Sequence, residues 1–192
     1  MRALLRGPIA ALTLLPLLAL VVAAGCSSGG GSSGGAGAVD ELAQFKTERD
    51  SVTARLAVFD TLDYVVFSNQ EWTRLHESHS PDIVVNWPDG HHTNGIERHI
   101  ADLKAMFVYA PDTQIKEHPI KFGSGEWTCV TGVMTGTFTK PMPVGGGKTI
   151  PPTGKKFSIT MCTVGHWKNG VMIEESLFWD NATYMSQLGI KM

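Results

Sequence analysis

The stretch "KKFSITMCTVGHWKNGVMIEESLFW", Lys155 to Trp179, decides the fold. Two runs rich in β-branched and aromatic residues flank Asn169-Gly170, a dipeptide suited to the positive φ angles of a two-residue hairpin turn. Upstream, "EWTCVTGVMTGTFTK" (126–140) reads as a long strand rich in Thr and Val, and "TQIKEHPIKF" (113–122) alternates over a shorter span. Downstream, residues 181–188 read as a short helix with Gly189 beyond it. Before the strands the period changes. Val52, Leu56, Phe59 and Val66 mark a helix over 40–67, and a shorter helical piece covers 70–76. Ile83-Val84-Val85 reads as a strand ended by "WPDG". Ile96, Ile100, Leu103 and Phe107 form one face of another helix, stopped by "APD" at 110–112. Helices first and antiparallel strands after predict an α+β fold, a curved antiparallel sheet packed on N-terminal helices. Gly132 and Gly136 would let the long strand bend. Such a sheet closes a cone-shaped pocket, the kind of concave apolar interior that small molecules occupy.

The N-terminus has a separate logic. Arg2 and Arg6 precede an uncharged, Leu/Ala/Val-rich run that ends in "VVAAGC". A basic start, an apolar middle and small residues before a Cys predict an export signal over 1–25. Small residues before Cys26 resemble the processing site of bacterial lipoproteins, which implies a lipid on Cys26 and an extracytoplasmic, membrane-anchored protein. "SSGGGSSGGAGA" then reads as a flexible tether over 26–38, with one domain over 39–192. Removing the leader takes two Arg and no acid, leaving 14 basic against 18 acidic residues, a net charge of −4. That balance argues against a nucleic-acid partner.

Asp180 is the most informative single residue. It follows Leu177-Phe178-Trp179 and precedes the last helix. As a helix N-cap it would accept backbone N–H bonds and stay ionised. At a pocket wall beside Trp179, desolvation would raise its pKa toward that of a general acid or base. The register of the hairpin decides His166. A two-residue turn puts His166 on the face of Trp179, and a three-residue loop puts it on the face of Asp180. Trp87, Phe107, Met161 and Trp179 are candidate apolar walls, and His92 a candidate at the pocket mouth. His76 and His79 stand three apart, with His91 or His92 as further ligands, but no carboxylate or Cys completes a set, so no metal is expected. "GGGKT" at 145–149 has Met142 where a phosphate loop needs Gly. Cys129 and Cys162 fall almost opposite one another if their strands pair, either as a disulfide or as two buried thiols.

"WPDGHHTNG", "YAPDT", "GTFT", "PPTGK" and "FWDNATYMSQLG" stand in the order and spacing of the SnoaL-like polyketide cyclases, also called ester cyclases. The chain resembles that family over 60–192. The resemblance implies the nuclear transport factor 2-like, cystatin-like fold and a pocket for a small apolar carbonyl compound. It implies an acid/base cyclase or isomerase with no cofactor. Its Asp near the end of the last strand corresponds to Asp180, and His166 is a second polar candidate. Where the family has an "EHW" segment, this chain has Glu174, Glu175 and Ser176. That departure leaves a non-catalytic ligand-binding lipoprotein as the alternative. Dimers are common in the superfamily, so a homodimer is expected; an interaction module using the face of Trp127 and Val133 is a third reading.

Overall fold

The computed structural model describes residues 33–191. The leader and Cys26 lie outside the described residues. Helix α1 runs Ser33–Thr61, so its first turns lie within the segment read as a tether. Val39, Leu42 and Phe45 are exposed, and burial sets in only from Val52 onward. Among the described residues no helix is long and apolar enough to cross a membrane.

The helix expected over 40–67 changes type at its end. Leu62–Phe67 is a π-helical turn, wound wider than α, that directs Leu62, Asp63, Val66 and Phe67 inward. The Ser68 hydroxyl ties this turn to the sheet, accepting from the Ile115 N–H and sharing its one proton between the carbonyls of Asp63 at 2.7 Å and Ile115 at 3.0 Å. A 3-10 helix, Trp72–Glu77, stands where a second helical piece was expected. Then follow β1 (His79–Asn86), β2 (His92–Asn94), α2 (Ile96–Tyr109), β3 (Gln114–Ile115), β4 (Lys121–Ser124) and β5 (Trp127–Thr137). Two short strands, β6 (Met142–Pro143) and β7 (Thr149–Ile150), pair with each other. The chain ends with β8 (Lys156–Lys168), β9 (Val171–Phe178) and α3 (Asn181–Leu188).

The main sheet has the order β2-β1-β9-β8-β5-β3, with β4 also on β5. The fold is α+β as expected, but the sheet is mixed. β1 runs parallel to β9, a pairing that joins chain segments too far apart for the local pattern to reveal. The β8–β9 hairpin turns at Asn169-Gly170, both with positive φ. A bulge between His166 and Trp167 then shifts the register. His166 consequently pairs with Glu174, neither of the two partners that an unbulged hairpin allows.

Alternation along β5 and β8 buries Val130, Met134, Phe157, Ile159, Met161 and Trp167 on the helix-facing side. Trp167 is fully buried and donates its indole N–H to Thr128 Oγ1 at 2.8 Å, so its polar atom is satisfied inside the core. Cys129 and Cys162 lie on the other face as free thiols with Sγ atoms 3.5 Å apart, diagonal neighbours since Cys162 pairs with Thr131. Burial and the neighbouring thiol push Cys162 up to about 11.

The strand glycines make room for other side chains. A Cβ on Gly132 would stand 3.2 Å from Ile115 and 3.8 Å from Asp63 Oδ2. One on Gly136 would stand 2.6 Å from the Phe157 ring and 3.1 Å from Thr113 Oγ1. Phe157 is buried, with its ring held edge-on against Tyr184. Gly136→Ala is therefore expected to destabilise the domain by about 1–3 kcal/mol, read as a lower urea midpoint at unchanged slope.

Candidate functional site

The sheet and the helices enclose one cavity with mostly apolar walls. Leu62 and Phe67 come from the π-turn, Leu103 and Met106 from α2, and Met134, Met161 and Leu177 from the sheet. Trp87 and Trp179 close one side, edge to face at 6.4 Å. The volume open to the centres of water-sized spheres is ≈ 40 Å³, room for a few waters at ~10–15 Å³ each. Three of the wall residues are methionines, whose unbranched side chains re-pack at low cost when a larger guest enters.

Two polar groups face this space. The first is Asp63. Its Oδ2 accepts from His118 Nε2 at 2.8 Å, and the other ring nitrogen of His118 lies 2.8 Å from Asp60 Oδ1. Lys121 in turn donates to Asp60 Oδ2. A chain of carboxylate, imidazole and carboxylate thus runs from the cavity to the surface. Burial pushes the Asp63 carboxyl up, and the bond from His118 only partly offsets it. Burial would raise Asp60 as well, but the bonds from Lys121 and His118 hold it below its ordinary value. His118 stacks on Tyr64 at 4.5 Å and meets Phe59 edge-on. Burial alone would lower the imidazole; the two carboxylates outweigh it and hold it above its ordinary value.

The second group is a buried cluster of His79, at the head of β1, His99, in mid-α2, and Glu175, on β9. Glu175 Oε2 lies 3.2 Å from His99 Nε2 and 3.6 Å from His79 Nε2. Burial would raise Glu175, yet the imidazoles beside it hold it below the usual carboxylate range.

The candidates from the sequence are divided by the fold. Trp87, Met161 and Trp179 line the cavity. Phe107 sits one layer behind, edge-on to Phe67 at 5.2 Å. His92 is exposed on β2 and outside the cavity. His166 is on the opposite face of the sheet, stacked on Trp127 at 4.2 Å with Glu126 3.5 Å away. Asp180 is the N-cap of α3 and outside the cavity. It accepts from the N–H groups of Ala182 and Thr183 and from the Thr183 hydroxyl, and these bonds hold it below its ordinary value. The carboxyl groups that line the cavity are instead those of Asp63 and Glu175.

These two acids, and His99 beside Glu175, had a faint signature. His99 falls in the apolar stripe Ile96-His99-Leu103-Phe107 of α2, and Glu175 shares the inward face of β9 with Leu177. An ionisable residue at a core position is informative because it is costly there. Asp63 carries the same mark, since it falls in the stripe Val52-Leu56-Phe59-Val66 of the first helix at helical spacing.

The family model of SnoaL-like polyketide cyclases matches residues 47–188. No functionally curated protein matches the chain. A solved candidate SnoaL-like polyketide cyclase from Jannaschia sp. CCS1 superposes with a TM-score of 0.64 at 19% identity, covering 73% of this chain and 95% of that one. IdmH, a candidate polyketide cyclase from Streptomyces antibioticus, gives 0.60 at 23% identity, covering 71% and 99%. AclR, a candidate hydroxylase from Streptomyces galilaeus, gives 0.58 at 16% identity, covering 72% and 82%. At these identities the likeness establishes the fold, and one fold hosts many chemistries.

His118 carries a pH signature. The groups that face it are Asp60, Asp63, Tyr64 and, through Asp60, Lys121. Its folded pKa is raised, so its charged form stabilises the fold fully below its unfolded pKa of about 6.5, and the contribution is lost as pH rises through the folded value. The stability gap between the natural chain and His118→Gln should be about 1–3 kcal/mol at pH near 6 and shrink toward alkaline pH, as read from urea midpoints across that range.

Proposed function

We propose, for a chain that belongs to the SnoaL-like polyketide cyclase family, that the cavity binds a small apolar molecule carrying a carbonyl group and that Asp63 moves a proton on it. The observation that carries this reading is a buried acid with a raised pKa, facing an apolar cavity and fixed from behind by an imidazole. A general base must be reachable and titrate near the working pH, and desolvation is the means of raising a carboxylate to that range. His118 orients the carboxyl, and Asp60 orients His118, the generalised form of a relay in which each group positions the next.

Trp87, Met161 and Trp179 would hold the carbon skeleton, with Met106 and Met134 yielding to its shape. Removal of a proton from carbon beside the carbonyl leaves an enolate. Its attack on a second carbonyl of the same molecule closes a ring and breaks that C=O π bond, and the alkoxide takes back the proton held by Asp63; return of that proton to a different carbon of the enolate completes an isomerisation instead. Neither route needs an organic cofactor. The base supplies about 10²–10⁴ in rate, and the cavity adds to it by holding a flexible chain in a reactive shape.

Asp63→Asn should lower turnover of a β-dicarbonyl probe by about 10²–10⁴-fold with its binding retained, whereas Asp180→Asn, at the helix cap, leaves turnover unchanged. Equal turnover in Asp63→Asn and the natural chain would remove Asp63 from the chemistry. Saturable binding of the probe by the natural chain, with no turnover at all, would support the non-catalytic ligand-binding reading.

We further propose that the domain is exported, tethered by lipid on Cys26 and paired as a homodimer. The leader and the small residues before Cys26 support the first two points. Trp127 and Phe178, exposed apolar side chains, support the third. Cys26→Ser is expected to leave the membrane fraction and to sediment at twice the chain mass. Retention in the membrane would refute the lipid tether, and a monomer would refute the dimer.

A further inference from the structure

We propose that His79, His99 and Glu175 form a binding site for a divalent first-row transition metal ion, with Zn²⁺ as the reference ion and an open coordination position facing the cavity. The inference goes beyond the acid/base reading and does not depend on Asp63.

The three side chains arrive from three separate elements and converge in the core, each no more than 5% exposed. One donor atom from each lies within 4.8 Å of the other two. His79 Nε2, His99 Nδ1 and Glu175 Oε2 are buried with no hydrogen-bond partner. Buried polar atoms are nearly always paired, so three orphans in one cluster call for a physical cause. At 3.2 and 3.6 Å the two imidazoles stand close to Glu175 Oε2 without forming a hydrogen bond of good geometry to it.

One of the two tautomers open to His79 makes the conflict sharper. The Ser78 hydroxyl donates to the Leu75 carbonyl at 3.2 Å and lies 2.8 Å from His79 Nδ1. With its proton directed at Leu75, Ser78 accepts from Nδ1–H. In the neutral ring Nε2 then carries a lone pair, and it faces the lone pairs of Glu175 Oε2 3.6 Å away. Two lone pairs opposed in a dry interior need positive charge between them. A divalent cation shared by His79 Nε2, His99 Nε2 and Glu175 Oε2 supplies it and satisfies the orphaned His79 Nε2 and Glu175 Oε2 together.

Geometry and donor type agree. With metal–N and metal–O bonds of about 2.0–2.2 Å, adjacent ligands of a tetrahedral ion stand about 3.3–3.6 Å apart. The edges from Glu175 Oε2 are 3.2 and 3.6 Å. Two imidazoles and one carboxylate are a known catalytic zinc set that leaves a fourth position for water or substrate. Here all three ligands line the cavity, so that position opens where a guest would sit. Ser78 completes the pattern, since a ligating imidazole commonly gives its other N–H to a fixed acceptor. Asp63, in the same cavity, adds negative field that favours a dication.

The test is a titration of the chelator-stripped full-length protein with Co²⁺ and Zn²⁺. We expect one ion per chain, visible Co²⁺ d–d bands of an N/O site displaced by Zn²⁺, and ¹⁵N shifts confined to the rings of His79 and His99. His99→Gln and Glu175→Gln, checked for folding by circular dichroism, should weaken binding by more than tenfold. Ser78→Ala should weaken it by about 10–100-fold through loss of the outer partner. The natural protein decides the matter even where a variant fails to fold. No saturable binding, or a thiolate charge-transfer band placing the ion at Cys129 and Cys162, overturns the proposal, as does unchanged affinity in folded Glu175→Gln. None of these readouts uses turnover, so they stand apart from the fate of Asp63.

Discussion

A carboxylate on a central strand, buried among apolar side chains, is the constraint that organises this domain. Glu175 is nearly inaccessible to water, and an isolated charge there would cost more than the fold could supply. It is tolerated because two imidazoles stand beside it. Those imidazoles come from the head of β1 and the middle of α2. The cluster therefore ties three elements that no short loop brings together. It sits where β1 meets β9 in the parallel pairing, so the polar contacts and the sheet register specify each other. Removing one partner from such a buried set leaves an uncompensated charge, which typically costs 3–5 kcal/mol. A cluster of this kind is weak evidence for stability and stronger evidence for specificity of packing or for function.

Features controlled by local chemistry were legible in the sequence. Asn169-Gly170 makes its hairpin because both residues accept positive φ. The last helix starts at Asp180 and stops at left-handed Gly189, as its end residues dictate. The α+β class followed from the change of hydrophobic period. What escaped depends on distant parts of the chain or on small local irregularities. The bulge beside His166 moves that residue by one pairing, enough to decide which partner it meets. The π-turn after Thr61 needs no special composition and so leaves no local signal, although Asp63 itself stands at helical spacing in the stripe Val52-Leu56-Phe59-Val66.

The same distinction explains why Asp180 was a plausible acid. A carboxylate between a strand and a helix reads alike as a cap and as a catalyst, because both depend on the same local position. Burial separates them. Asp180 is in solvent with three donors, and Asp63 is buried with one. His79, His99 and Glu175 could each be flagged as ionisable residues near apolar patterns. Their convergence is tertiary, since nearly a hundred positions separate the first from the last.

The two carboxylates of the cavity are driven in opposite directions by their surroundings. Both are buried, so desolvation acts on each in the same direction. Asp63 has a single donor and is pushed up. Glu175 lies between two imidazoles and is held down. Like charges in one low-dielectric space repel, and the fold resolves this by keeping one group anionic and easing protonation of the other. Pairs of acids whose environments drive their pKa values apart are how one site holds an anion and a proton donor at the same pH. In this cavity the lowered acid and the raised one face the same space, with apolar walls between them. A carbonyl compound spanning that gap would meet electrostatic polarisation at one end and proton transfer at the other.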